Sequence, residues 1–201
     1  MASIFEPFPP LTWDETHWTG SDILPSWAGC QTRRGPYLSR SSEEPSDGRV
    51  DLNVFQPDRG GDAVVDPSDR PQSNPTAEQL EAYAFLKTHE AAVASAVLKA
   101  IFDIYTSGLR DAYGYEDEDA KELMPEIESP HELKRLLGLG NVHVLGVAKA
   151  GVAYIGFEFG CAWDDEHGLG VLTHRDRIVS VGDAADSFLT WIAQEDAEKQ
   201  R

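Results

Sequence analysis

From Asn141 to Val181 apolar and polar residues alternate in steps of two through NVHVLGVAK, GVAYIGFEFGCAW, LGVLTH and RIVSV, with glycine or aspartate turns between the runs. Successive side chains of a pleated strand face opposite sides, so this period predicts an antiparallel meander. On its central strand Ala153, Ile155, Phe157, Phe159, Cys161 and Trp163 share one side, and Val152, Tyr154, Gly156, Glu158, Gly160 and Ala162 the other. The first set reads as core, since burying each large member contributes about 1.5–3 kcal/mol.

Upstream the period changes. Leu80, Tyr83, Leu86, Val93, Val97, Ile101 and Ile104 recur at three- and four-residue steps behind Thr76 and Gln79, which have the spacing of a capping box. They predict a long helix that stops or kinks at Gly108. Ser129, Pro130 and Glu132 predict a short helix ended by Gly138, and the tail from Asp183 to Gln194 predicts another, with Ala184, Phe188 and Ile192 on one side. Near the start, SWAGCQTRR and GRVDLNVFQ read as the strands of a hairpin with a long connection. Residues 1–25 read as an irregular arm, and 57–75 as a Pro/Gly/Asp-rich linker. Strands, then helices, then a meander indicate α+β: an antiparallel sheet from the C-terminal meander and the N-terminal hairpin, packed by one long helix and two shorter ones, as a single domain over 26–201.

Charge narrows the partners. Lys plus Arg total 17 against 35 Asp plus Glu, a formal net charge of −18. Such a field repels phosphate backbones and anionic lipid, so neither nucleic acid nor a membrane is expected, and it attracts basic proteins. Acidity that only maintains solubility is the competing explanation. The two cysteines, Cys30 and Cys161, form no C-x-x-C pair. MASIFEPFPPLTW lacks the basic start of a signal peptide, and no run reads as a bilayer span of about eighteen apolar residues. The expected compartment is the cytoplasm. GLGNVHVLG is not a dinucleotide fingerprint, and phosphate-loop, H-E-x-x-H and G-x-S-x-G motifs are missing, so no cofactor is expected.

The stretch CAWDDEHGLG concentrates candidate chemistry. Asp164, Asp165, Glu166 and His167 read as an acidic loop between strands, with Gly168 supplying a positive φ. Consecutive acids repel one another and favour a basic partner, with Trp27 and Arg34 on the facing hairpin as further contact candidates. His143 reads as a core histidine. A second reading is a metal-assisted hydrolase with Glu158, flanked by Gly156 and Gly160, as general base and Glu166, His167 and His174 as ligands. The glycines also fit the close approach of a neighbouring backbone.

Two segments, LPSWAGCQTRRGPY and VAYIGFEFGCAWDDEHGLGVLTHRDRIVSVG, resemble a bacterial family of uncharacterised small acidic proteins with a C-terminal GFEFGCxWDxEHGLGV signature. Gly156, Phe157, Glu158, Trp163, Glu166, His167, Gly168, Gly170 and Gly182 carry it here; Cys30 stands where the pattern expects a bulky apolar residue. By analogy with immunity proteins, the resemblance implies a non-enzymatic cytosolic module that binds a basic partner such as a toxin domain. A structural subunit of a larger assembly is a third reading, and it requires an apolar patch on an uncovered sheet face.

Overall fold

The computed structural model describes residues 4–32, 44–57 and 72–199. Its centre is a seven-stranded sheet in chain order, β1 (Thr12–Asp14), β2 (His17–Ile23), β3 (Arg49–Phe55), β4 (Leu137–Lys149), β5 (Val152–Cys161), β6 (Asp164–His174) and β7 (Arg177–Gly182). The fold is α+β, and β4 to β7 form the expected antiparallel meander. One pair departs from the expectation. β3 and β4 run parallel, because the long helix between them carries the chain back along the sheet.

That helix, α1 (Ala77–Ile104), starts as its sequence predicts. Thr76 Oγ1 accepts from the Gln79 backbone N–H while Gln79 Oε1 accepts from that of Thr76. Gln79 is buried, and its Nε2 also donates to the carbonyls of Phe55 and Leu145 on β3 and β4, which fixes the helix start over the parallel pair. Tyr83, Leu86, Val93, Val97 and Ile101 are buried against the inner face of the sheet. A π-helical segment, Tyr105–Leu109, interrupts the run where Gly108 takes φ +149°, before α2 (Arg110–Tyr113). By length and mean hydropathy the run from Ala77 to Tyr113 is apolar enough to cross a membrane, which corrects the expectation that no such segment exists. Part of its apolar surface lies on the sheet.

The N-terminal residues differ most from expectation. Residues 12–23 form β1 and β2 instead of an irregular arm, and the hairpin partner of β3 is β2. SWAGCQTRR is not a strand at its start, because Pro25 opens a 3-10 turn, Pro25–Trp27. The capping box at Ser129 and Glu132 is present, but it heads a 3-10 turn, Pro130–Arg135, and Gly138 already lies in β4. A further short helix, α3 (Asp117–Leu123), lies within the acidic connector. Most of the expected linker falls outside the described residues.

Both sides of the sheet carry apolar clusters. The inner side holds the main core, including Ile155, Phe157, Phe159, Cys161 and Trp163, all predicted from the alternation on β5. On the outer side Leu145, Tyr154, Leu172 and Ala193 form a smaller core beneath the C-terminal segment, a 3-10 turn (Ala184–Ser187) followed by α4 (Thr190–Glu198). Asp196 on α4 ties the segment down, accepting from the Tyr154 hydroxyl at 2.8 Å, from Lys149 Nζ at 3.3 Å and from both terminal nitrogens of Arg177.

Candidate functional site

The acidic stretch begins in a strand. Cys161 pairs with Asp164, so Ala162 and Trp163 make the tight turn, and Asp164 to His167 form the first residues of β6. This corrects the reading of DDEHG as a loop; Gly168 does take a positive φ, +63°. Asp164 organises the tip instead of displaying its charge. Its Oδ1 accepts from the backbone N–H of Glu166 at 3.1 Å and of His167 at 2.8 Å, and its Oδ2 from the Tyr113 hydroxyl at 2.5 Å. The side chain is 10% exposed, against 57% for His167. Burial alone raises the Asp164 carboxyl, but the bonds from Tyr113 and His167 outweigh it and hold it below its ordinary value. Burial and then the Asp164 carboxylate push the Tyr113 hydroxyl up, so it remains a donor.

Two residues that sequence reasoning missed complete this site. Tyr113 ends α2 and Tyr115 follows it; their rings lie 6.0 Å apart and nearly parallel, and the Tyr115 hydroxyl donates to the carbonyl of Trp163 at 2.9 Å. Together with Trp163, Asp164, Asp165, Glu166, His167 and Asp183 they line an open concavity of about 610 Å³. Carboxylates beside aromatic faces suit a cation, which gains from both the negative charge and the ring quadrupole. Tyrosines next to the acidic YEDEDA segment were the available sequence signal.

The remaining candidates lie elsewhere. Trp27 is buried, 1% exposed, with its ring against Phe157 and Phe159, so it is a core anchor and not a partner contact. Arg34 lies outside the described residues. His174 closes the other end of β6, its Nε2 at 2.9 Å from the Lys149 carbonyl. At about 3.3 Å per strand residue it is roughly 23 Å from His167, so Glu166, His167 and His174 do not converge on one ion. Among the described residues no group of three or more His, Cys, Asp or Glu side chains is placed to hold a metal.

Glu158 sits mid-sheet on the outer face, its side chain 12% exposed, with Oε2 at 2.7 Å from His143 Nε2. The space beside Gly156 is filled by the protein itself. A Cβ at 156 would run into the carbonyl of Ser187, and one at 170 into those of Asp183 and Ala184. The backbone of the C-terminal turn is what approaches these glycines. His143 is buried as expected, its ring against those of Phe55 and Phe188 and both its nitrogens in a polar network.

A family model, DUF6985, a domain of unknown function, matches residues 40–189, the greater part of the chain. No curated protein and no solved structure matches it.

Proposed function

The chain belongs to the DUF6985 family, a domain of unknown function, and we propose that it is a non-enzymatic protein-binding module that captures a basic partner at the tyrosine-walled acidic tip, in the manner of an immunity protein that neutralises a toxin domain. The concavity lined by Tyr113, Tyr115, Asp165, Glu166 and Asp183 is the observation that supports this reading. A net charge of −18 attracts a basic protein from a distance, and the concavity offers an arginine or lysine side chain carboxylates and aromatic faces at short range. Asp164 serves by holding the tip in shape, and Glu166 and His167 are exposed for contact. The cytoplasm, where such a partner would be met, remains part of the proposal. The hydrolase reading loses its metal-ligand set to the separation of His167 from His174. Against the structural-subunit reading, Leu145, Tyr154 and Leu172 of the outer face are packed with Ala193 of α4.

Titration of isotopically labelled protein with a short arginine- and lysine-rich peptide tests the site. Shift changes are expected at Tyr113, Tyr115 and 165–168, with affinity falling steeply between low and physiological salt. Tyr113→Ala and Tyr115→Ala should weaken it further. Binding that is insensitive to salt, or shifts confined to another surface, would overturn the proposal.

A further inference from the structure

Five side chains on the outer face form one hydrogen-bonded row from the β1–β2 turn to the middle of the sheet. Thr16 Oγ1 lies 2.8 Å from His17 Nδ1, and His17 Nε2 lies 3.2 Å from Asn53 Oδ1. Asn53 Nδ2 lies 3.3 Å from His143 Nδ1, and His143 Nε2 lies 2.7 Å from Glu158 Oε2. Strand register assembles the row: Asn53 is level with His143 across the parallel pair, and Asn141 is level with Glu158.

The amide of Asn53 sets the direction of every bond. Its Oδ1 can only accept, so His17 carries its proton on Nε2 and accepts from the Thr16 hydroxyl at Nδ1. Its Nδ2 can only donate, so His143 is bare at Nδ1 and donates from Nε2 to the Glu158 carboxylate. All donors point toward Glu158. A proton added to His143 must go to Nδ1, where it faces the Asn53 NH₂ group, donor against donor. The His143 side chain is 5% exposed, so water does not relieve the clash. Rotating the Asn53 amide by half a turn does. Oδ1 then accepts from His143, Nδ2 faces His17, and His17 must accept at Nε2 and donate from Nδ1 to Thr16 Oγ1. Asn141, whose Oδ1 accepts from Asn53 Nδ2 at 3.3 Å, turns its own amide in step. His17 releases one proton to solvent from Nε2 and takes one at Nδ1, so the net uptake is the single proton on His143.

We propose that this row is a two-state proton switch in which uptake at His143 reverses the hydrogen bonds as far as Thr16 on the exposed β1–β2 turn. Glu158 on β5 is the ionisable group bonded directly to His143. β3 places Asn53 against it, with Arg49 and Asp51 further along the same side, and β2 contributes His17. β6 presents Gly170 beside Glu158. From the C-terminal segment the Phe188 ring lies edge-on at 5.2 Å, while Asp186 is engaged by the Ser180 hydroxyl on β7. The switch thus has one buried input, and its output is the Thr16 hydroxyl, which stops donating to His17, accepts from it instead and turns its own proton to the Asp14 carbonyl 3.3 Å away.

Nitrogen-resolved NMR of the imidazole rings during a pH titration of the intact protein tests this. Both histidines should start with the proton on Nε2; as His143 becomes doubly protonated, His17 should pass to the Nδ1–H form with the same midpoint. Glu158→Gln removes the charge bonded to His143 Nε2 and should move both midpoints together. The proposal is overturned by a His17 that keeps Nε2–H while His143 titrates, by a His143 that stays neutral down to acid unfolding, or by a substitution that moves one midpoint without the other. Should Glu158→Gln not fold, coincidence or separation of the wild-type midpoints decides alone.

Discussion

Substituting alanine for the outer-face glycines in turn separates two reasons for a missing side chain. Gly156, Gly170 and Gly182 lie on adjacent strands under the C-terminal turn, Gly170 level with Gly182 and Gly156 level with Leu172, and none has a positive φ, so backbone freedom does not explain them. Space does, to different degrees. At 156 a Cβ meets the Ser187 backbone and at 170 those of Asp183, Ala184 and Ser187, whereas at 182 the nearest atoms it meets are those of the Asp186 carboxylate, the end of a movable side chain. Alanine in a strand interior gains about 0.5–1 kcal/mol over glycine from chain entropy alone. Against that, overpacking costs about 1–3 kcal/mol, and if the turn lifts, exposing one large member of the Leu145, Tyr154, Leu172 cluster costs a similar ~1.5–3 kcal/mol. Gly156→Ala and Gly170→Ala should therefore destabilise by roughly 1–2 kcal/mol net. In Gly182→Ala the loss of the Ser180–Asp186 hydrogen bond, about 0.5–1.5 kcal/mol, nearly cancels the gain. Guanidinium unfolding followed by tryptophan fluorescence measures the three, and hydrogen exchange should show faster opening of α4 in the first two. A Gly182→Ala as costly as Gly156→Ala, or a Gly156→Ala within about 0.5 kcal/mol of the parent, would refute the packing argument.

Gln79→Ala strips buried carbonyls of Phe55 and Leu145 of a donor and removes half of the capping box. At about 1–3 kcal/mol per unsatisfied buried group, the expected loss in denaturant melts is roughly 2–4 kcal/mol; a loss below about 1 would show that the carbonyls find other donors. Asp196→Asn leaves Lys149 and Arg177 beside a neutral group and should cost about 1–3 kcal/mol at neutral pH, discounted because Arg177 is half exposed. The Arg177 guanidinium, against the opposing effect of burial and with help from Tyr154 and Lys149, holds the Asp196 carboxyl well below the usual range. The folded protein therefore binds that proton less readily than the unfolded chain. The carboxylate's contribution is whole above pH ~4 and is lost as pH falls from there through the lower folded value. Asp196→Asn should flatten that part of the stability profile, and parallel acid limbs in parent and variant would contradict the assignment.

What the sequence made legible follows the range of the signal. The meander and α1 announce themselves because hydrophobic period and capping spacing are local, and Thr76 with Gln79 needs only three residues of context. β2 was hidden because its inward set, Trp18, Gly20 and Asp22, contains one large apolar residue. Asp22 becomes an inward residue only when Tyr83 and Lys87 of α1 arrive to meet its carboxylate, at 2.5 and 2.8 Å. In the same way Gly156, one of the two glycines flanking Glu158, signalled a close approach, but the approaching group, Ser187, stands 31 positions further along the chain, and no periodicity reaches that far.

The two candidate sites extend this reasoning. Asp164 to His167 were visible as a charge run, yet their use depends on Tyr113 and Tyr115, carried to the tip by the segment that follows the π-helical interruption of α1. The polar row is more remote still, since Asn53 and His143 are 90 positions apart and meet because β3 and β4 are parallel. Had the pair been antiparallel, as the sequence pattern suggested, a different residue would face Asn53 and the row would break at its centre. The crossover that α1 imposes is thus what joins a buried carboxylate to the surface, so mutations that weaken the start of α1 at Gln79 should disturb the histidine tautomers before they unfold the sheet. Histidine nitrogen shifts recorded in Gln79→Ala at neutral pH check this; tautomers identical to the parent's would detach the row from the helix that builds its frame.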